Sequence, residues 1–411
     1  MARYHVRADG SMGVCTAKMG RCPFGDEEGT KHFWIKRKAQ DYAEERIRIA
    51  QKGYTRLSLK KVPAPPGKAD KSGNDVVITW SGVPDYSSTS PSDIVDYELA
   101  HDGTLTIVPR DGEATLSSLG IPSDDRRRVT RIETRGKIKL GKEPKKIFQN
   151  MYALRDISAL ADWDTSDVTS MEGLFQNCDS LTDITPLSNW DTSNVTSLNS
   201  MFDGCQHVES LEPLRDWDTS KVTNIGVMFH NCRNVTSLEP VRNWDTSRLT
   251  SLDSTFAGCQ NVTSLEPVRN WDTSRLTSLD STFARCQSVT SLEPIADWDT
   301  DNIKYLNKTF DGCQGLTSLE PLRRWDTERV CDMTGLFRGC SGLRNLDGLD
   351  TWNTHHVAEI ESMFRGCSSL ENADSAKGWD IDFACDGYLR NAVVQEMFAG
   401  CPKLKNIPLI R

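Results

Sequence analysis

Nine tryptophans recur at an unbroken spacing of 27 residues: Trp163, Trp190, Trp217, Trp244, Trp271, Trp298, Trp325, Trp352 and Trp379. Eight cysteines keep that spacing (Cys178, Cys205, Cys232, Cys259, Cys286, Cys313, Cys340 and Cys367), as do nine phenylalanines from Phe148 to Phe364. A fixed period of roughly 20 to 50 residues marks a solenoid, in which each unit buries its apolar side only against its neighbours. Three residue types in one register leave no room for coincidence.

Within one unit the apolar positions are Val195, Leu198, Met201, Phe202, Cys205, Val208, Leu211, Leu214 and then Trp217. Most steps are three residues, neither the 3.6-residue period of a long helix nor an alternation of two. Such a chain winds around a thin core through short strands and tight turns. The pattern predicts strands at 195–198 and 208–211 and a single helical turn near 199–204. Glu212-Pro213 marks a corner, since proline cannot donate to a ladder and restricts the residue before it. Asp191-Thr192-Ser193 suits a second corner, where Asp accepts from a backbone N–H two residues on. Stacked at about 4.8 Å, nine to ten coils would make a rod of roughly 45 Å.

Residues 234–260 and 261–287 are identical except that Gly258 becomes Arg285. A tolerated extra coil fits a binding or spacer surface better than a catalytic centre, which needs tight placement. Both ends break the pattern as caps do. Met151 replaces cysteine in the first partial unit, and seven residues are inserted before Phe398 and Cys401 in the last.

Composition then narrows the function. The 411 residues carry a net charge of −9, with 13 Cys in all. No run of 18 apolar residues suggests a membrane-spanning helix. No secretory signal, lipidation box or hydrophobic tail is visible, so the expected setting is cytoplasmic, with free thiols. Residues 1–75 hold 16 Lys/Arg against 9 Asp/Glu, and the rest 33 against 49. That basic head has too few aromatics to argue for nucleic acid. Phosphate loops, nucleophile elbows and metalloprotease motifs are absent from the sequence, which reads as non-enzymatic.

Two sets of residues carry chemistry. His5, Cys15, Cys22 and His32 are of the types that form a tetrahedral structural zinc site, though without a Cys-x-x-Cys knuckle. A Cys15–Cys22 disulfide and unliganded side chains are the alternatives. Behind them, 36–52 reads as one amphipathic helix packed on its own module. On the repeats, Arg215, Arg242, Arg269 and Arg323 stand two residues before a Trp, and Lys221, Arg248, Arg275 and Arg329 four after. These form two basic stripes, either a salt-bridged solvated face or a groove for an acidic protein segment or glycan. The Trp and Cys columns read first as packing ladders, because small apolar Cys and large aromatic rings suit a narrow core. The off-register Cys331 and Cys385 are candidates for exposed thiols.

Units such as Trp190-Asp-Thr-Ser-Asn-Val-Thr-Ser-Leu-Asn-Ser-Met-Phe-Asp-Gly-Cys205 resemble the BspA-type leucine-rich-repeat family. It is also called the bacterial surface protein 26-residue repeat, and part of it was first catalogued as Mycoplasma-type proteins of unknown function. The likeness runs from about Phe148 to Cys401. Upstream, Tyr97-Glu-Leu-Ala-His-Asp-Gly-Thr-Leu-Thr-Ile107 and Val129-Thr-Arg-Ile132 resemble the strand-rich lead-in found before such repeats. The resemblance implies an LRR-like right-handed coil and, at a bacterial cell surface, adhesion or protein binding. The N-terminal segment around Cys15-Thr-Ala-Lys-Met-Gly-Arg-Cys22-Pro-Phe-Gly25 is similar to a short uncharacterised module of actinobacterial and mobile-element proteins. It implies a second reading, an accessory protein of a phage or mobile element with the solenoid as spacer and the head as docking unit.

The expected organisation is therefore a small α+β Cys/His module over 1–53 and a Pro/Gly/Lys linker over 54–75. A β-rich lead-in follows over 76–142, then a repeat solenoid over 143–411. A protein partner is expected first, and a glycan second.

Overall fold

The computed structural model describes the backbone of strands at 3–6, 12–15 and 31–33, and then residues 95–144, 146–380 and 396–407. The chain divides into two compact units, Met1–Gly73 and Asn74–Arg411. In the first, β1 (Arg3–Val6) lies between β2 (Met12–Cys15) and β3 (Lys31–Phe33), antiparallel to both. The expected helix at 36–52 and linker at 54–75 lie outside the described residues.

The second unit is a repeat solenoid. Its lead-in already winds with the period of the repeats. β4 (Val95–Leu99) pairs antiparallel with β5 (Thr104–Pro109). From there the chain advances one full coil, so that β5 pairs in parallel with β7 (Arg131–Thr134), Leu105 opposite Ile132, 27 residues on. Likewise β6 (Glu113–Leu116) pairs in parallel with β8 (Lys137–Leu140). A single helical turn, α1 (Ser123–Arg126), joins the two layers. Parallel bridges Arg131↔Asp156 and Lys139↔Asp164 carry the stack onto the first tryptophan coil.

Within the repeats the expected strands are shorter than the pattern suggested. Residues 195–198 make a one-residue parallel bridge, Ser170↔Ser197↔Asn224, and 208–211 form no strand. At the Glu-Pro corner the chain enters a short 3-10 helix, as in Glu212–Leu214 and Glu239–Val241, with proline in the first turn, where a missing N–H costs nothing.

Strand pairing gives way because the turn after each bridge has its own ladder. Ser200, Phe202 and Gly204 donate N–H to the carbonyls of Gly226, Met228 and His230 in the next coil, at 2.9, 3.0 and 2.8 Å. The residues between bond locally, Met201 to Leu198 and Asp203 to Ser200. This alternation needs left-handed residues on both sides of the phenylalanine, Ser200 at φ 54° and Gly204 at φ 76°. It turns alternate N–H groups along the stack in one direction. The same bonds recur from Phe148 N–H to the Leu174 carbonyl as far as Phe364 N–H to the Met397 carbonyl.

Ten phenylalanines, Phe148 to Phe398, stack in one file with ring centroids 5.2–6.1 Å apart. Hydrogen-bonded backbones stand about 4.8 Å apart. The ring spacing therefore exceeds the backbone spacing, and a uniform rise of that size understates it at the rings.

Candidate functional site

The buried columns stitch each coil to the one before it. Trp Nε1–H donates to a carbonyl 30 residues earlier, as in Trp190 to Leu160 at 3.0 Å and Trp271 to Val241 at 3.1 Å. The first, Trp163, has no such coil beneath it and bonds Thr134 Oγ1 of β7 instead. Cysteine Sγ–H donates to the carbonyl of the preceding coil's phenylalanine, Cys205 to Phe175 and Cys259 to Phe229, both at 3.2 Å. All nine repeat Trp and all eight register Cys are buried. Desolvation pushes these thiols up, Cys259 and Cys313 to about 12, far from the thiolate that metal binding requires. Among the described residues no His/Cys/Asp/Glu cluster is arranged to hold a metal.

Thr192 and its equivalents reach out of the corner to the next coil. Thr192 Oγ1 donates to the Asp218 carbonyl at 3.1 Å and Thr246 Oγ1 to that of Asp272 at 3.2 Å, in the following coil. Their recurrence in every Asp-Thr-Ser was the signal available in the sequence. Asp191 does take the expected Ser193 N–H, at 3.0 Å.

The two basic stripes part company in the structure. Arg215, Arg242, Arg269 and Arg323 each grip the glutamate three residues earlier. Arg242 Nε and Nη2 donate to Glu239 at 2.7 and 2.8 Å, and Arg269 holds Glu266 in the same two-pronged way at 2.9 and 2.8 Å. Arg215 pairs with Glu212, and Arg323 with both Glu320 and Asp350. These bonds hold the glutamates below their usual carboxylate range. Ala296 interrupts this row, leaving Glu293 without an ion-pair partner among the described residues. Shallow concavities lie between successive 3-10 helices here, one lined by Glu293, Glu320, Pro321, Arg323 and Arg324.

The second stripe is open. Lys221 Nζ and Arg329 Nη1 meet only neutral amides, Asn194 Oδ1 at 2.8 Å and Asn302 Oδ1 at 2.9 Å. Arg248 and Arg275 are exposed, with no side-chain hydrogen bond or ion pair among the described residues, although the Arg275 charge acts on nearby Asp272. Beside them runs a column of aspartates, Asp218, Asp245, Asp272 and Asp299, one residue after each Trp. The exposed edge thus alternates paired cations, carboxylates and unpaired cations.

Of the suggested metal set, strand register puts His5 directly opposite His32. Cys15 pairs in register with Arg3 across β1 and β2. Cys22 and Cys385 lie outside the described residues. Cys331 is half-exposed in a column that holds Thr169, Thr196, Thr223, Thr250, Thr277, Lys304 and Ala358 in the other coils.

One functional residue escaped the sequence reading. The Arg126 guanidinium is half-buried and donates to five carbonyls: Leu119, Ile121, Lys146, Ile147 and Gln149. Ile147 and Gln149 occupy the positions whose carbonyls, in every later coil, receive the ladder N–H groups of the coil before.

These features define a class, the repeat solenoid built from 27-residue coils with an in-line aromatic core. The chain belongs to the family described as Mycoplasma protein of unknown function, DUF285, whose profile matches residues 142–260, 233–319 and 310–407. Among solved structures, the chain is similar to a leucine-rich repeat protein from Bacteroides ovatus. The two share 15% identity over 70% of this chain and 88% of that one, with a TM-score of 0.28. Comparison with the curated proteins gives no match.

Proposed function

We propose that the protein is a non-enzymatic interaction scaffold whose solenoid presents one long edge to a protein partner. The observation that carries this reading is the open cation column, Lys221, Arg248, Arg275 and Arg329, beside the aspartate column. Two columns of opposite sign suit a partner segment bearing both charges, since complementary potentials steer and orient association. Such a partner fits better than a plain polyanion, which the net acidity of the repeats would repel. The coils wind right-handed on the leucine-rich-repeat plan, and the setting is a bacterial cell surface, in keeping with the family likeness.

Photo-crosslinkers placed at Arg248 and Arg275 test the edge. The expected result is a discrete partner that disappears when Lys221, Arg248, Arg275 and Arg329 are changed together to Glu. The same partner should survive exchange of the Glu239 and Arg242 charges. Capture unaffected by the fourfold reversal would remove this face from consideration. Cell fractionation tests the setting, and protein confined to the cytosol would refute an adhesive role.

A further inference from the structure

The near-identical coils 234–260 and 261–287 place the same carboxylate twice in one column, where the coils on either side carry Asn199, Gly226 and Asn307. Asp253 and Asp280 therefore sit one above the other. Ser278 links them, its Oγ accepting the Asp280 N–H at 3.2 Å and donating to Asp253 Oδ1. Asp280 Oδ1 in turn accepts the Asn307 N–H at 2.9 Å. The neighbouring coils add charges of both signs, Lys308 from the next coil and Asp332 from the one after. Asn307 reaches Asp332 through Nδ2 at 3.4 Å, while its own Oδ1 is buried without a partner. Three carboxylates thus share a half-buried seam with one ammonium group.

We propose that Asp253 and Asp280 form a proton-operated clamp between the two duplicated coils. Ionised, the pair repels across the seam. A proton on Asp280 removes that repulsion and closes the stack. Burial first, and the Asp253 charge second, push the Asp280 carboxyl up to about 6. Because the folded value lies above the ordinary one, the proton binds the closed seam more tightly than the open one. Its stabilising effect is full below the ordinary aspartate range and is lost as pH rises through about 6. The seam is tighter in mildly acidic surroundings than at neutral pH.

Hydrogen exchange read by mass spectrometry on the full chain tests this directly. Corrected for intrinsic rates, peptides spanning 250–310 should open about tenfold less often at about pH 5 than at about pH 7.5. Peptides from 160–200, far from the pair, should show no such gain. Asp280→Asn should make the protection independent of pH across this interval, and Asp253→Asn should weaken the dependence. The proposal is overturned if wild-type protection at 250–310 does not change with pH. It is equally overturned if the dependence persists undiminished in either variant.

Discussion

Arg126 Nη1 donates to the carbonyl of Ile147 at 2.6 Å, at the place where a preceding coil would have supplied a backbone N–H. The ladder of N–H groups all points toward the C-terminal end of the solenoid, so its first coil presents bare carbonyls. A guanidinium is well matched to that end, because it carries several donors in a rigid fork and a positive charge that complements aligned carbonyl dipoles. It makes no ion pair among the described residues; its partners are carbonyl oxygens.

Replacing Arg126 by Ala should cost about 3 kcal/mol, the penalty of leaving several half-buried acceptors unmet. Arg126→Lys should recover only part of this, since one ammonium cannot fork to both Ile147 and Leu119. Urea unfolding measures the difference, and equal stability of wild type and the Ala variant would refute the capping role.

The single difference between the duplicated coils predicts opposite responses at equivalent positions. A Cβ on Gly258 would lie 2.5 Å from Asn231 Oδ1 and 3.1 Å from Asn231 Cα, in a backbone at φ +78°. Arg285, also left-handed at φ 60°, stacks on Gly258, which has no side chain to meet. Gly258→Arg should therefore destabilise by about 1–3 kcal/mol. Arg285→Gly should be neutral or stabilise by up to about 1 kcal/mol, the left-handed penalty it relieves. Thermal unfolding of the two variants side by side separates these outcomes.

Thiol reactivity should divide the described cysteines sharply. Cys331 is half-exposed, whereas the register cysteines are buried, with their thiols pushed up by desolvation. Alkylation at about pH 8 followed by peptide mapping should mark Cys331 in the folded protein and Cys205, Cys232 and Cys259 only after denaturation. Comparable labelling of Cys232 in the native state would contradict the packing described.

Strong acid should loosen the corners of the coils. Side-chain and backbone hydrogen bonds from Ser193, Ser220 and Ser274 hold Asp191, Asp218 and Asp272 below the usual range. A lowered folded value contributes stability above the ordinary aspartate range, lost as pH falls through the folded one. The melting temperature should therefore decline below about pH 4. Combined Asn substitution at these positions keeps an oxygen for the serine N–H and should flatten that decline.

The columns of the core were legible because Trp, Phe and Cys announce them directly, one per coil. The strands were not. The inter-coil bonding lies instead just after their expected place, at the turn over 199–204, in a ladder that depends on left-handed Ser200, Val227 and Ser254, and nothing in a serine or valine signals that conformation. The basic stripes were visible as residues but not as chemistry. A glutamate three positions before Arg242 becomes a partner only once the 3-10 helix Glu239–Val241 turns the two together. Arg126 carried no signal at all, since its role arises from carbonyls about 20 residues away that only the winding brings near.

The one-way ladder also governs how such a chain can change its length. Along this ladder a coil inserted between two others receives donors on one face and offers them on the other, and it repeats the Trp and Cys bonds that reach back to the coil before, so it joins the array without any new chemistry. A coil added before the first would have to displace Arg126 from the carbonyls it satisfies. Internal copying needs no such displacement, and the pair 234–260 and 261–287 records one instance of it.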